Sequence, residues 1–468
     1  MATIMDKYPY QYVPGDYLSD RGEAKYFHGR KDHRDRFANM LAMAARTDHG
    51  GTVVVFQGPP GVGKTALLCK LEEDAKRAGW QVVHIKPAAL ESPAAMVQAI
   101  GGDYVEHRGK ELASGGDVGF NVAGVVQAGA GGRMSTTKTI AGTQTVSGAL
   151  RDALAADAKL VLILDEAQHM AEPSSQSAGI SIRDTLNDFV NGRTGRRVVL
   201  LLGGLSHTWT AMRARGVSRL RQGCDRYLAR VRDETAASIL RDWLQEVGCK
   251  DEYRKEWVAV LLPIADNWPQ HLICCIAAAA EHFNVHGSEP IPPSVEAVIQ
   301  AIRRAKTAFY NQRARGIPGH SLAAVGMLVG AWGPRGTFRK KTVMAVLSID
   351  FEGPDHPPEQ CFEALISQGI FAVELAGKLK IPIPSMEQFL MAQAIDLAID
   401  EPLEAQVYWQ KVKAITLSKR GWIDTALEKK IEPHLRPVRG LQTGFGEGND
   451  APGRLTHHRP DGQSVLLY

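Results

Sequence analysis

Three stretches of the chain are apolar without alternation: Thr52-Val-Val-Val-Phe56, Leu160-Val-Leu-Ile-Leu164 and Val198-Val-Leu-Leu-Leu202. Runs of this kind read as strands covered on both faces, as in a parallel sheet between helices. Trp80-Gln-Val-Val-His-Ile85 reads as a further strand. The segments between them carry helical spacing. Ala66–Gly79 places Leu67, Leu68, Leu71 and Ala75 on one side and stops at Gly79. Ser92-Pro93 opens a helix that stops at Gly101-Gly102, and Ser181–Val190 is amphipathic up to Gly192. Asp233–Leu244 begins with a capping residue, and Ile291-Pro-Pro-Ser294 opens a helix running to about Arg315. The pattern predicts a three-layer α/β domain followed by helices.

Beyond residue 318 the periods change. Helical segments are expected at 321–331, 338–348 and 358–368, with a hairpin formed by 369–374 and 378–384. Three helices and a hairpin suggest a winged-helix-like domain over 318–400. Residues 401–435 read as helices of mixed charge. Residues 436–468, rich in Gly, Pro and Asn, read as a disordered tail. Residues 1–25, with four tyrosines and two prolines, read as a surface arm. Residues 101–146 are rich in Gly, Ala, Val and Thr and read as a β-hairpin-like insertion. A channel or partner contact and a surface flap both remain open for it.

The first apolar run leads directly into Gly58-Pro59-Pro60-Gly61-Val62-Gly63-Lys64-Thr65-Ala66, which fits G-x-x-x-x-G-K-[ST]. Strand, glycine loop and helix in that order is the context this phosphate-binding motif requires. The glycines let backbone N–H groups curl round a phosphate, and the helix N-terminus adds a positive dipole end. Lys64 can reach the β- and γ-phosphates, and the Thr65 hydroxyl can ligate Mg²⁺. The second apolar run ends in Asp165-Glu166. Asp165 can hold the Mg²⁺ shell, and Glu166 can orient and activate an attacking water.

GPPGVGKT combined with LVLILDEAQH resembles the AAA+ ATPases over residues 25 to 290. The bacterial clade with a D-E-A-[QH] motif is the nearest in pattern. It includes transposon target selectors of the TnsC/TniB type, secretion-associated ATPases of the ExeA type and origin-recognition relatives. The resemblance implies a nucleotide-binding domain over 26–230 and a helical lid with a bridging helix over 231–317. Phe27-His-Gly29-Arg30 resembles the family turn that packs against the adenine. A polar residue at the tip of the 197–202 strand contacts the γ-phosphate in this family, and Ser206 is the nearest candidate. Ser218-Arg219-Leu220 resembles the element carrying a trans-acting arginine, so Arg219 is the candidate finger, with Arg221 and Arg215 behind it. The family's lid arginine falls on Trp268-Pro269-Gln270-His271, where no arginine stands. Either His271 substitutes or the contact is missing, and slow hydrolysis then follows.

These matches imply ATP and Mg²⁺ as cofactors and hydrolysis to ADP and phosphate. They also imply a homo-oligomer with active sites at subunit interfaces. Two functional classes stay open. One is a DNA-associated regulator that assembles on duplex DNA, as in transposition. The other is a nucleotide-gated switch for a protein partner in bacterial defence or signalling. The basic stretch Arg303–Arg315 and Arg339-Lys-Lys341 favour the first, and Glu359 and Glu363 on the third helix of the 318–400 domain favour the second.

Composition narrows this little further. A net charge of +4 over 468 residues is too small to imply nucleic acid alone. The six cysteines form no C-x-x-C pair, which fits reduced thiols in a cytoplasmic protein. No apolar run reaches membrane-spanning length, so no membrane association is expected.

Overall fold

The computed structural model describes residues 24–46, 52–85, 157–168, 187–189, 191, 196–214, 217, 225–333, 335–349, 357–374, 377–435, 455–458 and 464–467. The 101–146 insertion, the helix expected at Ser92, most of the Ser181–Val190 helix, the arm before residue 24 and the Arg219 segment lie outside these residues. The chain divides into two compact units, Met1–Ile302 and Arg303–Tyr468.

In the first unit, α1 (Lys31–Arg46) precedes β1 (Thr52–Gln57), α2 (Lys64–Arg77), β2 (Gln81–Ile85), β3 (Lys159–Leu164), β4 (Arg197–Gly204), α3 (Thr208–Ala214) and β5 (Asp225–Tyr227). The sheet order is β2-β3-β4-β1-β5, and every pair is parallel. The register sets Val53 beside Leu200 and Leu162 beside Leu200, so like faces align across the sheet. Val53, Val55, Leu160, Leu162, Leu200 and Leu202 share one face with Phe189, Met212 of α3 and Val217. On the other face, α1 lays Phe37 and Met40 against Val54, Phe56 and Leu201. Helices thus cover both faces, which is why these strands are apolar at every position. The expected three-layer α/β architecture is present.

The strands run toward one edge, and β1 lies between β4 and β5 there. Loops leaving the carboxyl ends of parallel strands at such a reversal form the usual ligand crevice. The β1–α2 loop, the β3 tip and the β4 tip all sit at that edge.

Three helices follow: α4 (Asp233–Glu246), α5 (Asp251–Ala265) and α6 (Pro269–His286). They enclose their own core of Leu240, Trp243, Trp257, Leu261, Leu272 and Phe283. Trp243 stacks on Phe283 at 5.5 Å between ring centroids, and Trp257 meets the same ring edge-on at 5.0 Å. The helix α7 (Pro292–Ala314) adds Val298 and Ile302 to this core.

In the second unit, α8 (Gly319–Trp332), β6 (Thr337–Arg339), α9 (Lys340–Leu347), α10 (Pro358–Ser367), β7 (Ala372–Val373) and β8 (Lys378–Lys380) are followed by α11 (Pro384–Asp400), α12 (Pro402–Arg420) and the short α13 (Glu428–Ile431). The helix expected at 338–348 is shorter. Residues 337–339 instead pair with β8, giving the antiparallel order β6-β8-β7. The hairpin is also shorter: β8 stops at Lys380, two residues before Pro382, and Pro384 starts α11. α8 is buried on every side from Ser321 to Ala331 and crosses α11 closely. A Cβ at Gly326 would lie 1.9 Å from the Leu390 carbonyl oxygen. Within the tail, β9 (Leu455–His458) and β10 (Ser464–Leu467) form an antiparallel pair.

Candidate nucleotide site

The β1–α2 loop is built by left-handed glycines. Gly61 has φ 72° and Gly63 has φ 88°, both conformations that favour glycine. They turn the chain so that Lys64 begins α2. Lys64 is buried, and its Nζ donates to the carbonyl oxygens of Gly58 at 3.1 Å and Pro59 at 3.2 Å. The Gly58 N–H donates to the Gly204 carbonyl at 3.2 Å, which ties the loop to the β4 tip. Pro59, Pro60 and Val62 are buried beneath the loop, while Thr65 and Ala66 are half-buried in the first turn of α2.

The β3 tip meets this loop. The Thr65 hydroxyl donates to Asp165 Oδ2 at 2.6 Å, across a hundred positions of sequence. Asp165 is buried, and its Oδ1 accepts the Glu166 N–H at 2.9 Å. Glu166 has φ 52°, a left-handed conformation uncommon for a residue with a side chain and frequent at functional sites. Threonine hydroxyl and aspartate carboxylate are hard oxygen donors, the ligand type Mg²⁺ takes. These donors fit that ion.

Gln168 is a residue that sequence reasoning missed. Its Nε2 donates to Glu166 Oε2, and its Oε1 accepts the Leu205 N–H at 3.1 Å. It therefore fixes the Glu166 carboxylate to the β4 tip. The signal was in view, since Gln168 is the last letter of D-E-A-Q, but its partners were not. The β4 tip is also shaped to admit Asp165. A Cβ at Gly203 would lie 2.7 Å from Asp165 Oδ1 and 2.6 Å from Leu68 Cδ1. Ser206 stands half-buried in the turn between β4 and α3, next to Leu205.

The lid reaches the loop through α6. The Gln270 N–H donates to the Gly61 carbonyl at 3.0 Å, and a Cβ at Gly61 would lie 2.6 Å from Gln270 Cβ. His271 is fully buried, with Nδ1 3.2 Å from the Ala265 carbonyl and 3.7 Å from Asp266 Oδ2. Gln270 thus lies against the loop, and His271 packs inside the lid.

Residues 25–30 run as a strap along α4. Tyr26 Oη donates to Glu246 at 2.7 Å, Lys25 pairs with the same carboxylate, and His28 Nε2 lies 2.6 Å from Asp242. A Cβ at Gly29 would touch Thr235 at 2.9 Å. Arg30 then donates to the carbonyls of Val62 at 3.1 Å and Ala229 at 2.7 Å. Burial pulls its pKa down to about 10, so it stays charged at neutral pH. One guanidinium therefore joins the phosphate loop to the segment that enters the lid. His33 follows, edge-on to Phe56 at 5.8 Å, and burial with Arg30 nearby lowers its pKa.

Residues 26–188 match the family model described as AAA ATPase domain. No curated protein matches the chain. Among solved structures it is similar to the Aeropyrum pernix ORC2 protein in its ADPNP-ADP complexes, at 15% identity and TM-score 0.48, covering 86% of this chain and 98% of that one. It is also similar to Cdc6p from Pyrobaculum aerophilum, at 14% identity and TM-score 0.41, covering 82% and 98%. Domain III of the Thermotoga maritima replication initiation protein DnaA matches at 15% identity and TM-score 0.36, covering 59% and 93%. These likenesses are too distant to speak to chemistry or partners. The domain match and the 5-1-4-3-2 parallel sheet together make the first unit a parallel-sheet α/β AAA+ domain.

Proposed function

We propose that the chain binds ATP with Mg²⁺ and hydrolyses it to ADP and phosphate, and that it works as an oligomerising, DNA-associated regulator of the transposition type. One observation carries the nucleotide part: Thr65 and Asp165, on separate elements, meet at 2.6 Å beside buried Lys64. Lys64 and the backbone N–H groups of Gly61–Ala66 would hold the phosphates, Pro59 and Pro60 having no N–H to give. Thr65 and Asp165 would hold the ion, which supplies charge neutralisation on the phosphate oxygens when bound. Glu166, held by Gln168, would orient the attacking water and take its proton. Ser206 is the polar residue assigned to the β4 tip. Arg219 is the residue assigned to act across a subunit interface, with the pocket complete only there.

The DNA part rests on charge. From Ala297 to Ile349 the chain has nine Lys and Arg and no Asp or Glu. We read α8 to β8 as a winged helix, its basic residues meeting phosphates rather than base edges. A second reading, a switch for a protein partner without DNA, is favoured by α10. That helix exposes Glu359 and Glu363, and Glu363 lies 3.9 Å from Lys340.

Two substitutions test the nucleotide assignment. Lys64→Ala is expected to abolish ATP binding in equilibrium titration. Glu166→Gln is expected to keep binding and lower turnover by about 100-fold or more. Normal turnover in the second variant would exclude Glu166 as the residue that activates water.

A further inference from the structure

At one end of the second unit, two turns pack together. α8 ends at Trp332 and leads into the turn with Gly333, Arg335 and Gly336, and α12 ends at Arg420 and leads into the turn with Trp422 and Asp424. The Asp424 N–H donates to the Ala331 carbonyl at 2.8 Å, and a Cβ at Gly333 would lie 3.2 Å from Asp424 Oδ2. The Arg420 guanidinium donates to the Trp332 carbonyl and lies close to two indoles. Its Cζ is 3.8 Å from the Trp422 ring centroid and 5.2 Å from that of Trp332. Trp332 in turn packs on buried Phe338 at 5.3 Å, and Phe338 on buried Phe371 at 5.8 Å.

Trp422 is thus the outermost rung of a ladder footed in the core, and it is 50% exposed. Arg420 packs over the ring at 3.8 Å from its centroid. Exposed Lys419 precedes it, and exposed Arg335 stands in the facing turn. The Arg335 backbone is fixed by its N–H, which donates to buried Glu387 at 3.0 Å. Asp424, two residues on from Trp422, is half-buried and accepts the Ala426 N–H at 2.8 Å. Leu417, one turn back on α12, is an exposed apolar side chain. A cation lies on the ring and two more exposed ones stand in the two packed turns, which suits a flat, anionic ligand better than an apolar protein face.

We propose that this end of the second unit binds single-stranded DNA, with Trp422 stacking on an unpaired base and Arg335 and Lys419 meeting the phosphates on either side. An aromatic face with cations beside it is the common device for gripping a strand without reading its sequence. A paired duplex keeps both faces of its internal bases covered, so Trp422 confers a preference that the basic residues alone cannot. The inference rests on the reading that the chain is DNA-associated and names the strand form it takes.

The test is fluorescence anisotropy of the full chain with a labelled oligo-dT strand and with a labelled duplex of equal length, across a salt series. Trp422→Ala is expected to weaken oligo-dT binding by roughly 5- to 150-fold and leave duplex binding unchanged. Trp422→Phe should recover most of the loss. Arg335→Ala should reduce the salt slope for oligo-dT by about 0.7. The circular-dichroism melt of Trp422→Ala should match that of the parent, which shows that the second unit still folds. Equal oligo-dT affinity in parent and Trp422→Ala would overturn the site while duplex binding keeps the DNA reading alive. Loss of self-association without loss of oligo-dT binding would make the patch a protein contact and overturn it as well. Failure to bind either nucleic acid at low salt would end both readings.

Discussion

Gln168 shows how a single side chain can set the geometry of the site. It spans the tips of β3 and β4, holding Glu166 with one atom and the Leu205 N–H with the other. Gln168→Ala leaves the phosphate loop intact but frees the Glu166 carboxylate. We expect turnover to fall on the order of 10- to 100-fold with ATP affinity nearly unchanged, since misplacing a catalytic group by about 1 Å has that effect. Separate measurement of nucleotide affinity and steady-state turnover checks this. A loss of affinity instead would place Gln168 in binding. Gly203 works by what it lacks. Gly203→Ala drives a methyl toward Asp165 Oδ1 and Leu68 together, so it should weaken Mg²⁺-dependent nucleotide binding and destabilise the first unit by about 1–3 kcal/mol. Metal titration beside a thermal melt would separate the two effects.

At the scale of elements, the close approach of α8 and α11 depends on Gly326. A Cβ there would meet the Leu390 backbone carbonyl, which cannot rotate away. Gly326→Ala should therefore destabilise the second unit by about 1–3 kcal/mol, lowering its melting temperature by about 2–4 °C per kcal/mol. An unchanged melt would mean that the two helices can part at little cost. The same scale shows what the sequence made legible. The strands β1, β3 and β4 were readable because burial on both faces leaves an unbroken apolar run. The phosphate loop and Asp165-Glu166 were readable because chemistry and position coincide at strand ends. β6 was not, since three residues carry no period and only the pairing with β8 defines them. The strap was visible as a turn before α1. Its function as a latch depends on Arg30 reaching Val62 and Ala229, contacts 32 and 199 positions away that no local pattern encodes. The place of Gln270 against Gly61, and of His271 inside the lid, likewise followed only from packing.

For the whole molecule, the question is what turns a nucleotide site into a regulated activity. The lid meets the phosphate loop at Gln270 and, through Arg30, at the Val62 carbonyl, so the described site holds its own loop and lid together within one chain. Of the cations at the loop, Lys64 is held by the carbonyls of Gly58 and Pro59, and Arg30 is tied to the carbonyls of Val62 and Ala229. The reading that Arg219 of a neighbouring copy offsets charge developing on the γ-phosphate makes turnover a property of the assembly. Specific activity should then rise steeply with protein concentration, and Arg219→Ala should remove that rise by lowering turnover on the order of 10³-fold at saturation. Mixing this variant with Lys64→Ala protein should restore part of the activity. The first supplies an intact loop and the second an intact arginine, and a shared pocket needs one of each. Steady-state hydrolysis across concentration, alone and in the mixture, decides this. Activity that stays proportional to concentration, with no rescue on mixing, would confine the chemistry to a single copy. Stimulation of the same assay by duplex DNA, lost as salt rises, would show that DNA promotes the assembly and would weigh against the partner-protein switch.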